Sequence, residues 1–98
     1  MALIHCNNDN FKELINDELV IVDFFATWCG PCRMLGTVLE EIKNNYKIVK
    51  VDVDECSEIA KEFGVMSVPT LIKFKNGKEI EKNIGFLPKE QLIEWIER

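Results

Sequence analysis

The chain passes from an almost wholly apolar run, Leu19–Ala26, to two closely spaced cysteines, Cys29 and Cys32, where a helical pattern begins. The run is too short for a helix of this type and predicts a buried central strand. Pro31 suits the first helical position, where its missing N–H costs nothing. The partial positive charge of the helix N-terminus favours a thiolate, most of all on Cys29, the more outward sulfur. The junction therefore predicts a redox-active dithiol.

Composition limits what else the chain can be. With 98 residues, 47% of them hydrophobic, it can bury one core, which predicts a single domain spanning residues 1–98. The formal net charge of -5 argues against nucleic acid as a partner. We expect no membrane association, because no segment reaches the ~20 apolar residues of a membrane helix. Residues 1–10 do not resemble a signal peptide, so we expect a cytoplasmic protein. In that compartment a close cysteine pair is more often catalytic or metal-binding than structural.

Hydrophobic periodicity predicts alternating strands and helices, with a hairpin near the end. The predicted strands are Leu3–Cys6, Leu19–Ala26, Ile48–Val53, Thr70–Lys75 and Lys78–Ile84. Asn76-Gly77 is the hairpin turn between the last two. The predicted helices begin after Asn7 or Asn8, at the cysteine pair, ahead of Ile59 and at Pro88, and the third ends at Gly64. This order predicts a mixed sheet covered by helices on both faces, with a parallel first half and an antiparallel last pair.

Several motifs, in matching order and spacing, make the chain similar to the thioredoxin family from about residue 11 onward. Val22–Cys32 resembles the family's active-site segment, and Lys50–Asp54 resembles the strand that follows it. Val68–Thr70 and Phe74–Gly77 resemble the cis-proline loop and the hairpin, and Gly85 stands at the place of a substrate-side glycine. The resemblance implies an α/β thioredoxin fold, a central mixed five-stranded sheet flanked by four helices.

The resemblance also implies a function, reduction of protein disulfides by thiol–disulfide exchange. Cys29 would attack the substrate disulfide, and Cys32 would resolve the resulting mixed disulfide. The redox group would be the Cys29–Cys32 disulfide itself, with no bound cofactor and no metal. The implied partners are disulfide-containing protein substrates and thioredoxin reductase, which supplies electrons from NADPH. We expect the protein to be a monomer.

Asp23 is the second informative residue, because it places a carboxyl group inside the apolar run. Burial of a charged carboxylate is costly and raises its pKa. The resemblance implies that Asp23 accepts the proton of Cys32, through water, with Lys50 as its charge partner. The alternative is an exposed carboxylate at the end of a strand on the sheet edge.

The resemblance implies a substrate-binding surface around the cysteines, formed by Trp28, Gly30, Pro31, Val68, Pro69 and Gly85. A cis peptide bond at Pro69 would let a substrate chain pair with the backbone of Val68 as an added strand. Without the resemblance, Pro69 would be an ordinary loop proline. Ile84 and Phe86 belong either to this surface or to the core.

Two positions depart from the family pattern, and neither supplies chemistry. Phe25 replaces a usual tryptophan, which predicts looser packing beneath the site. Thr37 replaces a usual proline, which leaves the kink in that helix open. Exchange chemistry is expected to survive both changes.

Two further cysteines and one histidine complete the reactive side chains. A zinc site from Cys6, Cys29, Cys32 and Cys56 is conceivable, but the chain lacks the second closely spaced pair that is typical of such sites. Cys6 is predicted to be a small buried hydrophobic residue, and Cys56 an exposed, oxidisable thiol. His5 is predicted to lie at a strand end or on the surface.

Other functions remain open. A dithiol oxidant or isomerase is one, although those proteins typically have a histidine between the cysteines. A redox-regulated binding subunit that uses the reduced face is another. A glutathione-dependent reaction of the glutaredoxin kind is disfavoured, because Gly30-Pro31 replaces the usual Pro-Tyr.

Overall fold

The apolar run at residues 19–26 forms the strand around which the other elements are arranged. The computed structural model describes residues 2–98. The strands are β1 (Leu3–His5), β2 (Val20–Phe25), β3 (Lys47–Asp52), β4 (Thr70–Lys75) and β5 (Lys78–Ile84). The helices are α1 (Phe11–Leu14), α2 (Gly30–Ile42), α3 (Ser57–Glu62) and α4 (Lys89–Glu97). Within residues 2–98, no helix has the length and apolar character needed to cross a membrane.

The sheet has five strands in the order β1-β3-β2-β4-β5. β3 pairs in parallel with both β1 and β2, whereas β4 pairs antiparallel with β2 and β5. The turn between β4 and β5 has positive φ at both Asn76 and Gly77, which suits a tight hairpin. The predicted mixed five-stranded sheet flanked by four helices is confirmed, with its parallel half and its antiparallel hairpin.

The two faces of the sheet carry separate cores, because successive strand residues point to opposite sides. On one face, α1 and α3 pack on Val22, Phe24 and Phe74. On the other, α2 and α4 pack on Ile21 and Leu71. The predicted covering of both faces is confirmed, and β2 lies buried between the two layers.

Two helix starts differ from the predicted ones. α1 is a single turn with Asn10 as its N-cap, rather than a helix capped by Asn7 or Asn8. Asn7 instead accepts hydrogen bonds from the N–H groups of Asp9 and Asn10, which makes a local turn that competes with helix. Pro88 is the N-cap of α4 rather than its first residue.

One lysine is fully buried beneath α4. The ammonium group of Lys73 on β4 donates to the carbonyl oxygens of Trp95 at 2.7 Å and Arg98 at 3.2 Å. It also lies 3.4 Å from a carboxylate oxygen of Glu81. The last carbonyls of a helix have no partner within the helix, so Lys73 satisfies groups that burial would otherwise penalise.

Candidate active site

The cysteine pair lies at the turn from β2 into α2. Cys29 is the N-cap of α2 and forms a disulfide with Cys32, with 5.2 Å between the two Cα atoms. The backbone N–H of Cys32 donates to Sγ of Cys29 at 3.2 Å. Pro31 lies in the first turn but is the second helical residue, one place later than predicted. Cys29 is 6% exposed and Cys32 2%, so Cys29 is the more accessible residue by a small margin.

A loop from the start of β4 faces the disulfide. The Val68–Pro69 peptide bond is cis, and the carbonyl oxygen of Val68 lies 3.8 Å from Sγ of Cys29. The N–H of Gly85 donates to the carbonyl oxygen of Pro69 at 2.8 Å. Gly85 has a φ of 102°, a conformation that L side chains rarely adopt. The loop is thereby held with the Val68 backbone against the nucleophile position.

The surface beside the disulfide is apolar and partly open. Trp28 is 70% exposed, and its indole N–H donates to Asp54 at 3.0 Å. A groove of about 350 Å³ adjoins it, lined by Trp28, Val53, Val65, Met66, Ser67 and Val68. Neither Asp54 nor Met66 was predicted from the sequence to belong to this surface. Asp54 is the last residue of the family-like motif Lys50–Asp54 and could have been identified there, whereas nothing in the local sequence marked Met66.

The other predicted surface residues lie around the same turn. Gly30 and Gly85 are half-buried, Pro31 is exposed and Pro69 is buried. The structure decides between the alternatives for two more residues. Ile84 is exposed, whereas Phe86 is half-buried against the α2–α4 core.

Asp23 is fully buried on β2, so the alternative of an exposed carboxylate at a sheet edge is wrong. Burial raises the pKa of Asp23 to about 6, although the nearby ammonium group of Lys50 opposes the shift. Lys50, its neighbour in register on β3, places that ammonium 3.4 Å from Oδ2. Among residues 2–98, no donor forms a hydrogen bond to either carboxylate oxygen.

A cavity reaches Cys32 from the side of β1 and α2. It measures about 450 Å³ and is lined by Leu3, His5, Phe25, Ala26, Thr27, Cys32, Arg33, Gly36, Thr37, Glu40 and Lys50. The ammonium of Lys50 lies 4.4 Å from the centre of the Phe25 ring. α2 continues through Thr37, whose hydroxyl donates to the carbonyl oxygen of Arg33 at 3.3 Å. The cavity therefore joins Cys32 to the cation that accompanies Asp23.

The remaining cysteines lie elsewhere. Cys56 is 3% exposed, so the prediction of an exposed thiol is wrong: it stands at the N-cap position of α3, and its side chain packs in the α1–α3 core. Cys6 is half-buried against the same core rather than fully buried. Across the described range, 2–98, no three His, Cys, Asp or Glu side chains form a group that could hold a metal. His5 is exposed at the end of β1 and packs edge-on against Phe25, at a ring-centre distance of 6.1 Å.

Comparisons with known proteins agree with this geometry. The family model described as Thioredoxin matches residues 2–98. A thioredoxin of Staphylococcus saprophyticus is 48% identical over 102 residues, which cover 100% of this chain and 98% of that protein. A Bacillus subtilis thioredoxin is 43% identical with the same coverage.

Solved structures show the same fold. A mutant thioredoxin from Halobacterium salinarum matches with a TM-score of 0.92 and 32% identity, covering 98% of this chain and 88% of that one. Reduced Schistosoma mansoni thioredoxin matches with a TM-score of 0.89 and 33% identity, covering 99% and 97%. The chain therefore belongs to the thioredoxin family and is a thiol–disulfide oxidoreductase, whose redox-active group is the Cys29–Cys32 disulfide.

Proposed function

We propose that this chain acts as a monomeric electron carrier in the cytoplasm, which reduces protein disulfides and is re-reduced by an NADPH-dependent thioredoxin reductase. Residues 1–98 act as one domain in this role. The observation that carries the proposal is the hydrogen bond from the N–H of Cys32 to Sγ of Cys29 at the start of α2. A donor and a helix N-terminus at one sulfur both favour its thiolate form once the disulfide is reduced.

Cys29 is the nucleophile in this proposal. Its thiolate attacks one sulfur of a substrate disulfide, forms a mixed disulfide and releases the other substrate sulfur as a thiolate. Trp28, Gly30, Pro31 and Gly85 form the surface on which the substrate docks. Because the Val68 carbonyl lies 3.8 Å from Sγ of Cys29, an extended substrate segment can pair with the Val68 backbone, next to Pro69, while its sulfur meets Cys29.

Cys32 is the resolving cysteine. It attacks Cys29, restores the intramolecular disulfide and releases the reduced substrate, for which it must first lose a proton. Asp23 accepts that proton, because a carboxyl group with a pKa of about 6 is ionised at neutral pH yet close enough in pKa to bind a proton transiently. Lys50 is the charge partner that keeps the buried carboxylate ionised.

The experiment compares two matched variants, Cys32→Ser and Cys29→Ser, on a disulfide-containing protein with NADPH and thioredoxin reductase. Both variants are expected to lose turnover. Cys32→Ser is expected to accumulate a mixed disulfide through Cys29, seen by intact-mass spectrometry, whereas Cys29→Ser accumulates none. Equal trapping by both variants would refute the assigned roles.

A second measurement separates a reductase from an oxidant. The equilibrium between the dithiol and disulfide forms is measured against glutathione, and a reductase is expected to hold its disulfide more stably than glutathione does. A disulfide that glutathione reduces readily would favour the oxidant or isomerase function instead. Analytical sedimentation of the reduced and the oxidised protein tests whether the protein is a monomer.

A further inference from the structure

Two cysteines outside the active site lie together where the end of β1 meets the start of α3. Sγ of Cys56 lies 3.9 Å from the carbonyl oxygen of Cys6, although the two residues are 50 positions apart in the chain. Both side chains pack against the α1–α3 core, and both are free thiols. The thioredoxin-type reaction uses neither of them.

The contact is held from both sides by the backbone. The N–H of Cys6 donates to the carbonyl oxygen of Lys50, which extends the pairing of β1 with β3. The N–H of Cys56 donates to the carbonyl oxygen of Asp52 at the end of β3. The side-chain amide of Asn8 donates to the carbonyl oxygen of Glu55 at 3.4 Å, which ties the loop after Cys6 to the residue before Cys56. These backbone contacts therefore hold Cys6 and Cys56 next to each other in the fold.

The surroundings make both thiols slow to react. Burial raises the pKa of Cys6 to about 12, and the adjacent Cys56 thiol contributes to the same rise. Burial also raises the pKa of Cys56, assisted by the carboxylates of Glu55 and Asp52, while the hydrogen bond with Cys6 opposes the shift. At neutral pH the pair is therefore almost wholly protonated, and it does not compete with Cys29 for substrates.

We infer that Cys6 and Cys56 form a second redox site, which closes to an intramolecular disulfide by exchange with a low-molecular-weight disulfide such as glutathione disulfide. Cys6 reacts first, because it is half-buried while Cys56 is sealed from solvent. The site is slow and responds to accumulation of small disulfides rather than to single turnovers at the active site.

The exchange proceeds in two balanced steps. The Cys6 thiol loses its proton, and the thiolate attacks one sulfur of glutathione disulfide, whose S–S bond breaks. The first glutathione leaves as a thiolate and takes up a proton. Cys56 then loses its proton, attacks the sulfur of Cys6 and displaces the second glutathione, which is protonated in turn. Two cysteine thiols are oxidised to one disulfide, and one glutathione disulfide is reduced to two glutathione molecules.

The test uses a Cys29→Ser/Cys32→Ser chain, which keeps only the second pair and so does not depend on the roles proposed for the active site. The chain is incubated with excess glutathione disulfide, quenched with acid, alkylated and weighed intact. The expected result is loss of both free thiols with no glutathione retained, and a cross-linked peptide that contains Cys6 and Cys56. Raising the pH from 7.5 to 8.5 is expected to increase the rate about tenfold, because the thiolate fraction of a thiol with a much higher pKa grows tenfold per pH unit.

The matched control adds Cys56→Ser to the same chain and is expected to keep one glutathione on Cys6, since nothing can displace it. The unsubstituted chain is mapped in parallel for the same cross-linked peptide, which removes any dependence on the folding of the variant. Retention of glutathione on Cys6 to the same extent with and without Cys56 would overturn the inference. So would two thiols that stay free, or a disulfide found only between two chains.

Discussion

Replacing Asp23 by Asn removes a buried charge while keeping the shape of the side chain. Asp23 is fully buried, and burial raises its pKa from 3.8 to about 6 even with an ammonium group 3.4 Å away. One pKa unit corresponds to about 1.4 kcal/mol, so the ionised carboxylate costs the folded state about 3 kcal/mol. We therefore expect the unfolding free energy of the Asn variant, relative to that of the parent, to rise by about 2–3 kcal/mol from pH 4 to pH 8.

The direction of this change with pH follows from the pKa of Asp23 in the folded and unfolded states. The unfolded chain loses the Asp23 proton near pH 3.8, whereas the folded chain keeps it to about pH 6. Between these values the folded state binds more protons, so the stability of the parent falls as the pH rises. The Asn side chain does not titrate. The stability advantage of the Asn variant is thus absent below the unfolded pKa of Asp23, grows between the two pKa values and is complete above pH 6.

The assay is urea unfolding of both proteins at pH 4, 6 and 8, with the Cys29–Cys32 disulfide kept oxidised throughout. Other carboxyl groups cancel in the difference between the two proteins. The matched control is Asp17→Asn, which removes an exposed carboxylate whose pKa is lowered by a backbone hydrogen bond from Glu18 and by Lys47, so any change has the opposite sign. A difference between Asp23→Asn and the parent that stays constant from pH 4 to 8 would refute the reasoning.

Three further substitutions test individual contacts. Lys50→Met removes the cation that opposes the effect of burial, so the pKa of Asp23 is expected to rise above about 6. Carbon-13 NMR titration of the Asp23 carboxyl group measures this pKa. An unchanged value would contradict the pairing of Lys50 with Asp23. Gly36→Ala places a Cβ 3.3 Å from the Lys50 ammonium and displaces that ammonium. The pKa of Asp23, measured by the same titration, is therefore expected to rise, but by less than in Lys50→Met. A lower pKa would contradict this displacement. Lys73→Met leaves the carbonyl oxygen of Trp95 unpaired, and urea unfolding is expected to show a loss of about 1–3 kcal/mol. An unchanged unfolding midpoint would show that Lys73 does not hold α4 to the sheet.

The features that sequence reasoning predicted well have local signals. β4 and β5 have the predicted bounds, because Asn76-Gly77 marks the turn between them. The shift in pairing between Lys73 and Phe74 has no such local signal. The burial of Asp23 followed from its place in an apolar run, which forms the central strand β2 between two helix layers. The cysteine pair lies at the predicted junction between β2 and α2. The end of the apolar run and Pro31 mark that junction within a few residues.

The features that sequence reasoning missed depend on contacts between distant segments. Asn7, Asn8 and Asn10 are equally good helix caps by type, and only the turn made by the Asn7 side chain decides among them. Cys56 stands at a helix start, where exposure is common, but in the folded chain it packs in the α1–α3 core beside Cys6. No pattern along the chain indicated that segments 50 residues apart would meet there.

The groove beside Trp28 and the cavity beside Lys50 approach the disulfide from different sides, and in the described part of the chain they have no lining residue in common. In the proposed reaction, a protein client joined to Cys29 would cover the first opening and leave the second one free. The proton that Cys32 gives up would then reach bulk water through the cavity while the client is still bound. Electron transfer and proton release would thus use different openings, so a tightly fitting client need not slow its own release.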